Sequence, residues 1–263
     1  MPTSAEPTRD TAAHDGATHD TATAAHDTND DVWKSDEMVA QWVAGAAERE
    51  RRRAGQRRLM AELLPFDDDE AFTFVDLGAG TGAATKVVLD RFPQARAVLA
   101  EYSPQMTAEG ERALSGYEGR FRYVEHDLAR GGWPDELPST VPAVISSLCV
   151  HHLPDPRKRA LFSEIFEHLA PGGWYLNYDA VSTEDPVVEA AWLRAGDRLD
   201  PEAAAKRAHR SPEEERRHEN HVRHMIPLAP QLGFLRDAGF EGIDVYWKEL
   251  DYVLYGGRRP ASG

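Results

Sequence analysis

Residues Phe74 to Gly82 read Phe-Val-Asp-Leu-Gly-Ala-Gly-Thr-Gly, a run that few folds accommodate. The apolar stretch Phe72 to Leu77 has the length of a buried strand. It ends on Gly78, Gly80 and Gly82, whose missing side chains let the backbone approach a ligand closely. Ala83 to Phe92 follows with Val87, Val88 and Phe92 at helical spacing, so its N-terminal N–H groups would face that same ligand. Strand, cradle and helix in this order predict a nucleotide-type site.

The turn alone leaves the ligand open, because Gly78, Gly80 and Ala83 also satisfy the G-x-G-x-x-G/A dinucleotide fingerprint. Asp76 weighs against that reading: a carboxylate at the strand's end repels a pyrophosphate and attracts an ammonium group. An amino-acid-bearing ligand fits better. The segment resembles motif I of the class I S-adenosylmethionine-dependent methyltransferases, and the resemblance runs over roughly residues 35 to 258. It implies that Asp76, Gly78, Gly80 and Gly82 hold the methionine end of S-adenosyl-L-methionine.

Beyond the first unit, strands and helices alternate, which predicts an α/β, doubly wound parallel sheet. Ala95 to Tyr102 is the expected second strand with Glu101 at its end, where a carboxylate suits two ribose hydroxyls in either cofactor class. Ser103 and Pro104 read as a helix cap and first turn. Phe121 to His126 and Val141 to Val150 are the third and fourth strands. Asp155 and Pro156 are expected to cap a helix carrying Leu161, Phe162, Ile165, Phe166 and Leu169 on one face. Pro171-Gly172-Gly173 ends it and Trp174 to Val181 is the fifth strand. Gly242 to Lys248 and Asp251 to Tyr255 read as a hairpin through Glu249-Leu250. The resemblance implies a Rossmann-like, seven-stranded sheet of order 3-2-1-4-5-7-6, with the last pair antiparallel and helices on both faces. It also places Tyr102, Met106, Asp127 and Leu128 around the adenine.

Residues 1–31 are rich in Ala, Thr, Asp and His and read as a disordered acidic tail, too poor in large apolar side chains to offset the entropy of ordering. Residues 32–263 form the expected single domain. Within it, 33–65 is a helical cover beginning near Ser35, with Val39, Trp42, Val43 and Ala46 on one face and an Arg-rich stretch read as a solvated surface where Glu48 pairs with Arg52. Residues 182–226 are an inserted lid with two helices, Val187 to Leu199 and Pro212 to Met225, whose Trp192 and Arg194 are expected to set specificity.

For catalysis the candidates are His152 and His151, which follow the fourth strand at the carboxyl edge of the sheet and have the pKa of a general base. Tyr178 and Asp179 are weaker candidates for substrate contact. His218, His221 and His224 raise a metal site, but the first and third lie about 120° apart around one helix, so the expectation is no metal. The net charge of −15 disfavours nucleic acid and leaves a small-molecule acceptor. Cys149 is the one cysteine, which precludes an intramolecular disulfide and suggests a reducing, cytoplasmic setting. No export signal or membrane span is expected. Lysine is scarce beside arginine and alanine, which points toward specialised metabolism. The function read from the chain is methyl transfer to an O, N or C nucleophile of a small molecule. Rival readings are an S-adenosylmethionine-binding protein with other chemistry (cofactor modification or cyclisation), a non-catalytic binding or regulatory protein, and an NAD(P)-dependent reductase.

Overall fold

The computed structural model describes residues 44–261, together with residues 36, 39 and 40. The acidic tail 1–31 and the face residues Trp42 and Val43 lie outside the described residues. The first fully bounded helix, α1 (Ala46–Glu62), crosses to the sheet through Met60, which is buried with Leu64 against Phe74 and Leu89. Its solvated side carries the expected Glu48–Arg52 pair at 3.1 Å.

The sheet is built from β1 (Thr73–Leu77), β2 (Arg96–Glu101), β3 (Phe121–Glu125), β4 (Val141–Ser147), β5 (Leu169–Ala180), β6 (Glu241–Glu249) and β7 (Tyr252–Arg258). Its order is 3-2-1-4-5-7-6. Strands β1 to β5 pair in parallel, while β7 is antiparallel to both β5 and β6. Helices α2 (Ala83–Arg91), α3 (Pro104–Ala113), α4 (Asp155–His168) and α8 (Leu228–Ala238) complete the alternation. Side chains alternate across a strand, so β1 sends Phe74 into one core with Val88, Leu89 and Leu99. It sends Val75 and Leu77 into the opposite one with Phe162, Ile165 and Leu235. Both faces of the central strands are therefore covered, as a parallel sheet requires.

Several boundaries differ from the sequence expectation for local reasons. β4 ends at Ser147, because Leu148 turns to a positive φ of 58° and a short 3-10 turn, Val150–His152, follows. β5 begins at Leu169 rather than Trp174: Val141 pairs with Leu169 and Ala143 with Trp174, so Pro171-Gly172-Gly173 is a bulge inside the strand. Pro154, not Asp155, is the N-cap of α4. The hairpin turns at Leu250-Asp251 instead of Glu249-Leu250, with Leu250 at φ 51°. Ser103 does cap α3, accepting from the Met106 N–H at 3.1 Å, with Pro104 at the first helical position.

The insertion holds three helices where two were expected. Between α5 (Pro186–Leu199) and α7 (Pro212–Val222) lies α6 (Pro201–Ala208), started by Asp200, whose side chain accepts from the Ala203 N–H at 2.9 Å. An Asp-Pro step is a sufficient local start signal. The insertion leaves and re-enters the core at one point, because the Ser182 N–H donates to the Ile226 carbonyl at 3.1 Å and the Ser182 hydroxyl to that of Met225 at 3.2 Å. Lys158 of α4, fully buried, pins that junction by donating to the carbonyls of Leu153 (2.6 Å) and His224.

Lys158→Met keeps the volume but strands two buried carbonyls, which costs about 1–3 kcal/mol. Urea denaturation is expected to show a loss of that order, and limited proteolysis to cut residues 183–225 sooner than in the wild type.

Candidate active site

The carboxyl ends of β1, β2, β4 and β5 open onto a cavity of about 510 Å³, within the ~300–1,000 Å³ of small-molecule sites. At one end stands the glycine turn, where Gly78, Gly80 and Gly82 all have positive φ, at 66°, 54° and 74°. At Gly78 a Cβ would lie 2.0 Å from the Cys149 sulfur, whereas a Cβ on Gly80 would meet no protein atom within 4 Å. The turn thus packs against β4's extension on one side and leaves bare backbone toward the cavity on the other. Crowding by protein pushes the Cys149 thiol well above its ordinary pKa, so it is a wall residue rather than a thiolate.

Glu101 holds the turn in place. Its Oε2 accepts from the Gly80 N–H at 2.8 Å, and its Oε1 from the N–H groups of Tyr102 (3.0 Å) and Ser103 (2.9 Å). Burial raises its pKa while those three donors oppose the rise. The Tyr123 hydroxyl adds a donor to the Gly80 carbonyl at 3.0 Å. Of the nine residues expected around the cofactor, seven line the cavity: Gly78, Gly80, Glu101, Tyr102, Met106, Asp127 and Leu128.

Gly82 and Asp76 do not line it. Gly82 is the left-handed N-cap of α2, and a Cβ there would press within 2.6 Å of Leu114, so it serves the turn and the packing. Asp76 is fully buried beneath the cavity floor. Its Oδ2 accepts from the Thr85 hydroxyl at 2.7 Å, and its Oδ1 has no hydrogen-bond partner. Burial pushes its pKa up to about 7, against the lowering effects of Thr85 and Arg57.

At the other end of the cavity the 3-10 turn after β4 brings His151 and His152 to the wall. Asp179 of β5, fully buried, takes His151 in two grips: Oδ2 accepts the His151 backbone N–H at 2.9 Å, and Oδ1 lies 2.5 Å from His151 Nδ1. The ring is thereby oriented with Nδ1 toward the carboxylate, and its Nε2 is buried without a hydrogen-bond partner. At His152, burial, reinforced by His151 and His221, holds the imidazole well below its usual pKa. The geometry therefore favours His151 over His152 as the better-oriented imidazole. Asp179 acts behind His151 rather than on a substrate, and Tyr178 faces the opposite core beside Trp247 and Tyr252.

The helical cover reaches the wall through two arginines that sequence reasoning did not single out. Arg53 and Arg57 of α1 line the cavity, and Arg57, buried, donates to the Ser147 hydroxyl at 3.2 Å. Their spacing was the available signal: 53, 57, 60 and 64 form one helical stripe whose other members are the buried Met60 and Leu64. From the insertion come His221 and His224, while Lys248 sits over the Trp192 ring at 4.2 Å, away from the cavity wall. Surrounding protein, with desolvation as the main cause, pushes His221 down to about 4. His218 and His224 do not join it as a ligand group; its ring neighbours are His151 and His152.

This sheet order, with ligand-facing glycines after β1 and an acid ending β2, defines a class I methyltransferase fold. Residues 74–173 match the methyltransferase domain family. Among curated proteins the chain is similar to trans-aconitate 2-methyltransferase of Azoarcus sp. (strain BH72), 36% identical over 124 residues, covering 47% of this chain and 44% of that protein. The same enzyme of Variovorax paradoxus (strain S110) is 32% identical over 126 residues, 48% of this chain and 44% of its own length. The chain thus spans less than half of the curated relatives it matches. Among solved structures, human N-acetylserotonin methyltransferase in complex with S-adenosylmethionine superposes with a TM-score of 0.60 at 17% identity, over 90% of this chain and 60% of that one. An O-methyltransferase family 2 protein from Planctomyces limnophilus in complex with apigenin gives 0.58 at 15%, over 91% and 63%. No helix of the described residues is long and apolar enough to cross a membrane.

Two measurements probe this geometry. Gly78→Ala combines a left-handed backbone, at about 1–2 kcal/mol, with a clash against both the sulfur and the Cβ of Cys149, and adding Cys149→Ala is expected to recover only the sulfur's share of the loss in a denaturant double-mutant cycle. For Asp76, the folded carboxyl keeps its proton to about pH 7 whereas a free one loses it near 3.8, so the folded state binds the extra proton between them. Stability of the ligand-free protein is expected to fall as pH rises through that window, with Asp76→Asn flattening the profile of Tm against pH.

Proposed function

We propose that this chain is an S-adenosyl-L-methionine-dependent methyltransferase acting on a small anionic molecule. The observation that carries the reading is a single cavity with the glycine turn and Glu101 at one end and the Asp179-supported His151 at the other. When bound, S-adenosylmethionine supplies a methyl group already activated by its sulfonium, so the protein's share is positioning and desolvation.

The residues at the first end fit that cofactor. The bare backbone at Gly80 admits a close ligand, and the orphaned Oδ1 of Asp76 below the floor favours a cation above it. Glu101 has spent one lone pair of Oε2 and two of Oε1 on backbone donors, and retains acceptor capacity on Oε2 for ribose hydroxyls. Tyr102, Met106, Asp127 and Leu128 form the wall for the adenine. At the second end His151 acts on the acceptor's nucleophile, its ring fixed by Asp179.

The acceptor is anionic because Arg53, a cationic wall residue of α1, acts on His221 at the histidine end, while the carboxylate Glu101 lies with the glycine turn. The matched relatives are named for methylating trans-aconitate, itself a carboxylate. We place the reaction in the cytoplasm and, from the arginine-rich and lysine-poor composition, in specialised metabolism.

Calorimetry with S-adenosylhomocysteine and NADH, and transfer of labelled methyl to a panel of carboxylate and neutral acceptors that includes trans-aconitate, test the proposal together. Asp76→Ala is expected to weaken S-adenosylhomocysteine at least tenfold, and Arg53→Ala to raise KM for carboxylate acceptors with cofactor affinity unchanged. Binding of NADH alone, or label reaching no acceptor, overturns the reading.

A further inference from the structure

We propose that His151, His152 and His221 together bind one divalent transition-metal ion of the zinc type, which ties the inserted helices to the carboxyl edge of the sheet. One ring nitrogen from each of the three lies within 4.8 Å of the others. Their ring centroids are 4.0 Å (His151–His152), 4.7 Å (His151–His221) and 4.9 Å (His152–His221) apart. The rings meet at 40°, 74° and 69°, so none of the pairs is a flat stack. The trio is assembled from two segments, the turn after β4 and the last turn of α7, and is the one such group of ligating side chains among the described residues.

A second observation points to a ligand. His151 Nε2 is buried and has no hydrogen-bond partner, whereas Nδ1 is held by Asp179 at 2.5 Å. Carboxylate on one ring nitrogen and a free lone pair on the other is the arrangement by which proteins orient a metal-binding histidine. An unpaired buried nitrogen otherwise costs about 1–3 kcal/mol, and a cation shared with two further imidazoles removes that cost. Three histidines suit zinc, copper or nickel rather than magnesium or calcium, which take oxygen ligands. With nitrogen–metal distances of about 2.0–2.1 Å the three nitrogens must draw together by roughly 1 Å. His221, in the last turn of α7 and the most exposed of the three, is the ligand that approaches the other two.

Three protein ligands leave a fourth position, as in zinc enzymes that keep one for water or substrate, and here it lies on the cavity wall. In this respect the inference rests on the proposed function, since an anionic acceptor oxygen would fill that position and the ion would lower its pKa in place of direct proton abstraction by His151. The metal site itself stands without the methyl-transfer reading.

The test uses the untagged full-length chain, stripped with chelator. Zn²⁺ alone is titrated by calorimetry and Co²⁺ alone by absorption, with S-adenosylhomocysteine affinity measured in parallel to establish that each variant folds and to judge the function separately. One Zn²⁺ per chain is expected beyond any held by the tail histidines, which every variant retains. His221→Ala and His152→Ala are expected to abolish that site, Asp179→Asn to weaken it about 10–100-fold, and His218→Ala to leave it unchanged. Zn²⁺ should also slow proteolysis of residues 183–225 in the wild type and not in His221→Ala. Equal Zn²⁺ stoichiometry and affinity in wild type and His221→Ala, with S-adenosylhomocysteine binding intact in both, overturns the site and leaves the histidines as packing. Loss of S-adenosylhomocysteine binding in the wild type overturns the functional reading instead.

Discussion

The carboxylate of Glu101 is the interaction on which the cofactor end of this molecule depends. It stands at the point where β1 and β2 release their chains in parallel, and three backbone N–H groups from two different loops converge on it. Each loop alone would leave its donors unpaired in a buried place, and a buried carboxylate alone would be neutralised. Together they solve one another's problem, and the solution fixes the glycine turn relative to the start of α3. Because the turn is held from this side, Gly78 can press against Cys149 on the other and Gly80 can remain bare. The shape of the cavity floor follows from where one acid sits.

A similar arrangement recurs across the sheet. Asp179 ends β5 as Glu101 ends β2, and it too takes a backbone N–H, that of His151, together with the ring it orients. Beside it Asn177 donates to the Tyr255 hydroxyl at 2.9 Å, which donates to Gln231 at 2.7 Å, whose amide reaches the Ile226 carbonyl at 3.4 Å. This buried chain runs from the supported histidine to the residue where the insertion rejoins the core. The histidine end of the cavity and the root of the insertion are therefore joined through one polar network, in which Asn177 Oδ1 and His151 Nε2 are left without partners.

Much of this was legible before any coordinates. The order of strands followed from the period-2 and period-3.6 runs together with the family resemblance, and the terminal hairpin announced the antiparallel pair. Gly78, Gly80, Glu101 and Asp127 were placed by strand ends, which a parallel sheet gathers on one edge. What was illegible depended on approach through space. Asp76 sits in the strand that predicted it, but whether its carboxyl meets the cavity or lies under it is decided by Thr85 on the following helix. Sequence alone leans marginally to His152, whereas the carboxylate of Asp179, 28 residues away, holds the His151 ring. Six charges in a row, Glu48 to Arg53, resemble a solvated face as readily as a cover over the pocket, although the stripe continuing into Met60 and Leu64 marks which arginines turn inward.

The insertion shows most clearly why residue spacing underdetermines a site. The sequence expectation set His218, His221 and His224 along one helix, where they would point in different directions, but α7 ends at Val222 and His224 lies in the turn beyond it. The relevant geometry is between chains of sequence that a helical wheel never compares: a turn at residues 150–152, set by β4, and the end of α7, set by the Ser182–Ile226 junction and by Lys158 beneath it. Since that junction closes the insertion at its root, its helices can reach back over the cavity without a long flexible approach, and little entropy remains to be lost when His221 meets the core. The acidic character of the chain does not oppose an anionic acceptor for the same reason. Net charge is a property of the whole surface, whereas the cavity wall carries the guanidinium groups of Arg53 and Arg57 that α1 turns inward.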